Sequence, residues 1–219
     1  MSFDLTVLYS DDHLLAVNKP AGLPTLPDGY DKTAPCLINL LKQQYGRVWV
    51  VHRLDKETSG VIVLARSAEI HRALNLAFDG REVHKVYHAI VTGVPLWETI
   101  TNDTPLRPDG DRRHRTVIDR QHGKAAITHL RVLERFARQA LIEAQPETGR
   151  THQIRVHLAA LHLPLAGDAL YGGLRDLIAR TALHACRIEL AHPVEQEVLR
   201  VEAPYPLDFT EALRQLRGE

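Results

Sequence analysis

The sequence is poor in cysteine and has no long apolar run. Of 219 residues only two are cysteines, Cys36 and Cys186. Two thiols make no disulfide framework, and such sparse use fits a reducing compartment. No stretch of about 18 apolar residues occurs, so no membrane span is expected. The opening Met1-Ser2-Phe3-Asp4 lacks a basic region and an apolar core, so it does not read as a signal peptide. A cytoplasmic location is therefore expected. Neither a Gly-x-Gly-x-x-Gly nor a phosphate-loop signature is present, which leaves a nucleotide cofactor unsupported. There is no Cys-x-x-Cys pair. His152 and His157 miss the i, i+4 spacing of helical zinc ligands, and His84 and His88, which have it, sit among strand-forming neighbours. No metal site is expected. Internal repeats, Gly/Ser/Pro-rich linkers and composition breaks are also lacking, so residues 1–219 are expected to form one continuous domain.

What is present fits a globular chain. The hydrophobic fraction is 44% and the charged fraction 25%, near the averages for soluble proteins. Disorder, collagen and low complexity are excluded as descriptions of the whole. A domain of this length buries roughly 70% of its unfolded surface and needs no staple. Net charge is zero, but its distribution is not even. Residues 1–46 carry a net −2, residues 47–155 a net +5 and residues 156–219 a net −3. Arginine outnumbers lysine 21 to 6. Its planar fork suits phosphate and stacks on bases, although the bias alone is only compositional.

Short apolar runs at Val7-Leu8-Tyr9 and Leu14–Val17, split by Ser10-Asp11-Asp12, predict a hairpin. Asn18-Lys19-Pro20-Ala21-Gly22 then ends the strand. Thr33 is the expected cap of a helix reaching about Tyr45, with Leu37, Leu40 and Leu41 on one face and Gly46 as stop. Val48–Val51 and Val61–Ala65 read as buried strands. Ser67 is the expected cap of a second helix, with Ile70, Leu74, Ala77 and Phe78 inward and Gly80 at its end. Lys85–Val91 and Leu141–Ala144 read as strands. Residues 107–124, with six basic and three acidic side chains, suit an exposed loop or hairpin. Thr151 is the expected cap of a helix carrying Ile154, Leu158 and Leu161, ended by Pro164 and Gly167. Cys186, Ile188 and Leu190 alternate in a strand, and Val198–Ala203 forms the last one. Strands and helices mix without a regular βαβ rhythm, which predicts α+β.

Two segments concentrate ionisable groups. His52-Arg53-Leu54-Asp55-Lys56-Glu57-Thr58-Ser59-Gly60 lies between two apolar strands, where a rigid scaffold can present Asp55 as nucleophile or base and Arg53 and Lys56 to phosphate. Taken alone it also reads as a polar turn. Thr148-Gly149-Arg150-Thr151-His152-Gln153-Ile154-Arg155-Val156-His157-Leu158 places two arginines, two histidines and a glutamine near a helix start, which favours anions. Alone it equally reads as a solvated cap. Ser59 lacks the preceding glycine of a nucleophile elbow, with Glu57 in its place, and reads as a turn hydroxyl.

Together the segments resemble the RluA-type family of RNA pseudouridine synthases. Asn18-Lys19-Pro20-Ala21-Gly22 matches the family's first motif, and His52–Gly60 matches its catalytic His-Arg-Leu-Asp-x-x-Thr-Ser-Gly loop without departure. Lys85-Val86-Tyr87 matches the Lys-x-Tyr strand, and Gly149–His157 the third motif. Gly167-Asp168, Tyr171-Gly172, Leu183-His184-Ala185 and His192-Pro193 follow in family order. The likeness covers about residues 7–210.

The resemblance implies a single α+β catalytic domain: a mostly antiparallel mixed sheet flanked by helices, with a central active-site cleft. It implies an isomerase that turns uridine in structured RNA, from the large ribosomal subunit or tRNA, into pseudouridine. The N-glycosidic bond breaks, the uracil turns, and its C5 bonds to the ribose. The reaction has no redox step, so no cofactor is implied. By motif match, Asp55 is the essential carboxylate, acting either on the nucleotide directly or by removing a ribose proton. Arg155 is its expected ion-pair partner, favouring the charged carboxylate. Tyr87 is expected against the uracil ring, Ile154 as an apolar wall on the base, and Arg53 in the space a flipped base vacates. The positive middle of the chain is expected to face the RNA backbone, with the 107–124 segment as a clamp. No separate N-terminal RNA-binding domain is expected, and a monomer is the default. The readings kept alongside are a non-catalytic RNA-binding or assembly factor and, more distantly, a hydrolase.

Overall fold

A computed structural model describes residues 5–27 and 34–219. The strands begin with β1 (Thr6–Ser10), β2 (Leu14–Lys19), β3 (Trp49–Val50), β4 (Ser59–Ala65), β5 (His84–Thr92) and β6 (Thr99–Asn102). They continue with β7 (Leu106–Arg107), β8 (Val117–Ile118), β9 (Thr128–Arg135), β10 (Gln139–Pro146), β11 (Leu183–Ala191) and β12 (Val198–Glu202). The helices are α1 (Leu37–Tyr45), α2 (Ala68–Asp79), α3 (Gln153–Ala160) and α4 (Leu207–Arg217). The expected α+β class holds, and the strand pairs described below are antiparallel. The chain divides into two compact units, Met1–His84 with Ala185–Pro204, and Lys85–His184 with Tyr205–Glu219. No helix among the described residues is long and apolar enough to cross a membrane.

In the first unit, β1, β2, β4 and β11 lie side by side in that order, with β12 on β11 and β3 on β4. All seven residues of β4 are buried, which is why Val61–Ala65 reads as a continuous apolar run without alternation. At Gly60, φ is +117° and an added Cβ would lie 2.2 Å from the Ala185 carbonyl oxygen. Only glycine lets the backbone of β11 pass there. The expected β1–β2 hairpin is present. The Asp11 carboxylate accepts the N–H groups of His13 at 2.7 Å and Leu14 at 2.6 Å, closing the turn. It also accepts from the Tyr9 hydroxyl at 2.6 Å and from His192 Nε2 at 2.9 Å, tying the turn to the chain just past β11. His192 Nδ1 accepts the Glu195 N–H at 3.1 Å, so the hydrogen-bond pattern assigns its proton to Nε2.

The two helices of this unit differ in how they were signalled. Ser67 caps α2 by accepting the Ile70 N–H at 3.2 Å, Ile70 and Leu74 are buried, and Gly80 ends the helix. Thr33, the expected cap of α1, lies outside the described residues. The helix starts at Leu37 behind Cys36, without a side-chain cap, and stops at Gly46 as expected. Its buried face is Leu37, Ile38 and Leu41, with Leu40 only half-buried. The expected Val48–Val51 strand shortens to the two residues of β3.

In the second unit the sheet order is β5-β10-β9-β6, antiparallel throughout. Strand alternation sorts its side chains into two layers. Ala89, Val91, Ala140 and Ile142 pack with Ile154 and Leu158 of α3. Ile90 and Leu141 point the other way, onto Phe209, Ala212 and Leu213 of α4. β7 and β8 pair as a two-stranded hairpin that starts at Leu106, one residue ahead of the 107–124 segment expected to form a loop or hairpin. Elements β6, β9 and α4 lie where the sequence reading placed none.

The start of α3 corrects the sequence reading. Thr151 is not its cap. The helix begins at Gln153, behind His152 in the left-handed region at φ 55°, with no side-chain cap. The Gln153 side chain turns back instead. Its Oε1 accepts the Arg150 N–H at 3.0 Å and the Thr148 hydroxyl at 2.7 Å, satisfying the turn before the helix from inside it. Leu161 follows the last helical residue rather than lying on its face.

Burial alone would raise the Asp11 pKa, but the hydrogen bonds from Tyr9, Leu14, His13 and His192 overcome it and lower it from 3.8 to about 2. A depressed carboxylate contributes stability that is present above its unfolded pKa and lost as pH falls through the folded one. Asp11→Asn is therefore expected to be less stable than the wild type at neutral pH. The gap should close between about pH 4 and about pH 2, read from urea midpoints across that range. A gap that stays constant over the range would remove Asp11 as its source.

Candidate active site

Asp55 sits half-buried in the loop before β4, and both of its neighbours are pinned by the end of β2 and the segment after it. Thr25 Oγ1 donates to the Leu54 carbonyl at 3.0 Å and accepts the Leu54 N–H at 3.3 Å. The Lys56 carbonyl accepts the Gly22 N–H at 2.8 Å and Lys19 Nζ at 3.2 Å. Asp55's own carbonyl accepts the Thr58 N–H at 3.1 Å, closing a turn. The Asp55 main chain is thus fixed on each side, which is how a carboxylate on a loop acquires a defined direction.

Lys19 makes this possible. It has no exposed surface, and its ammonium also donates to the carbonyls of Pro20 at 2.9 Å and Leu23 at 2.8 Å. A buried ammonium must be solvated by protein, and the oxygens that do so come from the two segments being joined. Lys19→Met keeps the aliphatic stem but strands these acceptors. Each buried acceptor without a donor costs about 1–3 kcal/mol, so a stability loss of at least about 2 kcal/mol is expected from urea unfolding. A neutral result would show that the carbonyls find other donors.

His52, the first residue of the same motif, works on the scaffold. Its Nε2 accepts the Val63 N–H at 3.0 Å and its ring stacks on Phe78 with centroids 4.8 Å apart. β3 pairs with β4 only at Ala65 and Leu64, so the imidazole takes the next backbone donor that a longer strand would have taken. Arg53 and Lys56 are exposed, as contacts to a bound polyanion require.

The other expected site residues lie in the second unit. Tyr87 is half-buried on β5, opposite Ala144 of β10, and packs against the cluster that contains Ile154. Ile154 is buried at 6% exposure. Arg155 is 8% exposed and forms a bidentate ion pair with Asp168, Nε to Oδ2 at 2.7 Å and Nη2 to Oδ1 at 2.8 Å. Asp168 itself is 1% exposed. The Arg155 guanidinium also lies over the ring of Tyr171, 5.0 Å from its centroid. Arg155 is therefore held from two sides by groups of its own unit.

Below α3 runs a directed chain of buried hydrogen bonds. Gln153 Nε2 donates to Thr128 Oγ1 at 2.9 Å, and Thr128 Oγ1 lies 2.9 Å from His157 Nδ1. His157 Nε2 in turn lies 3.0 Å from the Thr104 carbonyl. Burial lowers the His157 pKa, which keeps the imidazole neutral and able to accept at one nitrogen while donating at the other. The sequence reading assigned no role to Lys19, Thr25, Gln153, Asp168 or Tyr171. Four of these five stand inside the quoted motifs, so the motifs carried the signal. What the sequence lacked was any indication of which side chains face inward.

Comparison with known proteins agrees with this geometry. The RNA pseudouridylate synthase family pattern matches residues 13–160. The ribosomal large subunit pseudouridine synthase D of Xanthomonas campestris is 42% identical over 98% of this chain and 70% of its own length. An uncharacterized RNA pseudouridine synthase of Bacillus subtilis, YhcT, is 38% identical over 96% of this chain and 72% of its own. Among solved structures, human RNA pseudouridylate synthase domain containing 4 superimposes with a TM-score of 0.79 at 30% identity, covering 97% of this chain and 93% of that one. The chain belongs to the RNA pseudouridylate synthase family, the family its motifs resembled. It is accordingly an RNA pseudouridine synthase, an isomerase.

Proposed function

We propose that this enzyme isomerises uridine in large-subunit ribosomal RNA, with Asp55 as the catalytic carboxylate. The observation that carries the catalytic assignment is the double clamp on Leu54 and Lys56, which fixes the backbone on both sides of that one residue. The choice of RNA is supported by relatives named for the large ribosomal subunit at about 40% identity. Tyr87 and Ile154 form the base-binding wall and Arg155 supplies positive charge. Arg53 stacks in place of the flipped uridine, an exposed guanidinium suited to that task. Residues 1–219 act as one catalytic domain in a cytoplasmic monomer, without a cofactor.

Tritium release tests the assignment. RNA carrying C5-tritiated uridine loses the label when the new carbon–carbon bond replaces the C5–H bond. Wild type is expected to release tritium from unmodified large-subunit ribosomal RNA and not from tRNA. Asp55→Asn is expected to lower the rate by about 10²–10⁴-fold or more. Release by both proteins would overturn the Asp55 assignment, and release from tRNA alone would overturn the choice of RNA.

The 107–124 hairpin is proposed as an RNA clamp because four of its cations are exposed while two of its three carboxylates are paired with arginines. Asp119 pairs with Arg107 at 2.6 Å, Asp111 with Arg115 at 2.6 Å, and Asp109 with His114 at 2.5 Å. Arg112, Arg113, Arg120 and Lys124 remain exposed, a cationic edge on a chain of zero net charge. Arg112→Ala with Arg113→Ala is expected to weaken RNA binding and to flatten its log–log salt dependence by up to about 2. The single-turnover rate at saturating enzyme should not change. A fall in that rate would mean the tip takes part in the chemical step.

A further inference from the structure

The root of the hairpin, unlike its tip, is wired to Arg155. The Tyr171 hydroxyl accepts the Thr116 N–H at 3.1 Å and lies 3.2 Å from the Thr116 carbonyl, just before β8. It also lies 3.0 Å from Nδ1 of His152, the residue preceding α3. The Tyr171 ring has Arg155 5.0 Å from its centroid and the hairpin's own Arg115 at 6.0 Å. Arg115 in turn donates to the Leu170 carbonyl at 3.2 Å, next to Tyr171 in the chain. Beneath them, Leu106 of β7 and Ala126 pack with Val156 of α3, and Tyr171 packs against that cluster. Thr116 Oγ1 is buried with no hydrogen-bond partner among the described residues. The backbone bonds to Tyr171 are therefore the polar hold on Thr116, beside the Arg115 bond to Leu170.

These contacts make one side chain the shared boundary of an RNA-facing element and a site residue. We propose that Tyr171 is a positioning residue that couples engagement of RNA by the 107–124 hairpin to the placement of Arg155 for the isomerisation. Its hydroxyl reads the position of the hairpin root through Thr116. Its ring transmits that position to the guanidinium stacked on it, while Asp168 holds Nε and Nη2 of the same guanidinium. Burial raises the Tyr171 pKa, so the phenol keeps its proton, and its hold on Thr116, across the working pH range. The proposal rests on the pseudouridine synthase reading and adds a division of labour within the hairpin. The tip supplies affinity, and the root sets the rate.

The test compares Tyr171→Phe and Tyr171→Leu with wild type on C5-tritiated large-subunit ribosomal RNA. Three quantities are read: the dissociation constant, the single-turnover rate at saturating enzyme, and the urea midpoint. Tyr171→Phe keeps the ring over which both arginines lie and loses the link to Thr116. It is expected to lower the saturating rate at least tenfold, with the dissociation constant within about threefold of wild type and the fold intact. Tyr171→Leu also removes the stack on Arg155 and is expected to lose more rate than Tyr171→Phe. A wild-type rate in Tyr171→Phe, or a loss confined to affinity, would overturn the coupling while leaving the functional reading intact. If Tyr171→Leu unfolds, Tyr171→Phe decides alone. No tritium release by wild type from ribosomal RNA or tRNA would overturn the functional reading, and the coupling would fall with it.

Discussion

A lysine without exposed surface fixes the shape of the first unit's functional loop. Lys19 ends β2, and an ammonium buried there must find oxygen acceptors within a few ångströms or shed its charge. The acceptors it finds are main-chain carbonyls of its own turn and of Lys56, one residue past Asp55. Because main-chain groups have no rotamers, satisfying them fixes backbone positions. The same turn contributes the Gly22 N–H to Lys56, and Thr25 completes the arrangement at Leu54. The tight approach of β4 to β11 at Gly60 then holds the other end of the loop. The direction of Asp55 thus follows from a buried charge, a threonine hydroxyl and a missing Cβ.

The second unit solves a related problem with a different device. An arginine at 8% exposure is expensive to desolvate, and a single carboxylate seldom offsets that cost unless the geometry is bidentate and the rest of the ion is engaged. Asp168 meets the first condition and the Tyr171 ring meets part of the second. Such a pair contributes little net stability when set against an apolar replacement. What it provides is a guanidinium with few alternative orientations, which suits the substrate-facing role proposed for Arg155. Gln153 serves the same end by replacing an ordinary N-terminal cap with bonds made from inside the helix.

The legibility of the sequence follows the same physics. The Ser67-capped helix and the β1–β2 hairpin were readable because each is specified by local chemistry, a hydroxyl cap in one and an Asx turn in the other. The α3 start was misread because Thr151 has the right residue type for a cap, while the deciding bonds come from Gln153 to residues three and five positions back. The β9 strand was missed although Thr128, Leu130 and Val132 alternate with exposed His129, Arg131 and Leu133. Charged residues on its solvent side diluted the apolar signal. The α4 helix escaped despite Phe209, Ala212, Leu213 and Leu216 at helical spacing, because neither a Ser, Thr, Asp nor Asn caps it and Pro206 fills that place. At the site, ordered motifs named Asp55, Tyr87, Ile154 and Arg155, whereas the groups that hold them follow only from three-dimensional contacts.

Net charge shows most clearly why sums over a sequence mislead. A total of zero argues against a polyanionic partner if every charge is counted equally. Charges that face each other in tight pairs cancel at short range and contribute little to the field a few ångströms away. In the 107–124 hairpin two of the three acidic groups, Asp119 and Asp111, each face an arginine in this way. The pairs leave the net charge of the segment unchanged, but they set Arg112, Arg113, Arg120 and Lys124 apart as its exposed cations. Elsewhere Glu143 is bound by Arg131 and Gln145, and Glu134 by Arg217, so other carboxylates are also spent internally. In the proposed function a phosphate backbone meets the unpaired remainder, which here is positive, and the hairpin that carries it also places Arg115 over the ring of Tyr171, the ring on which Arg155 lies.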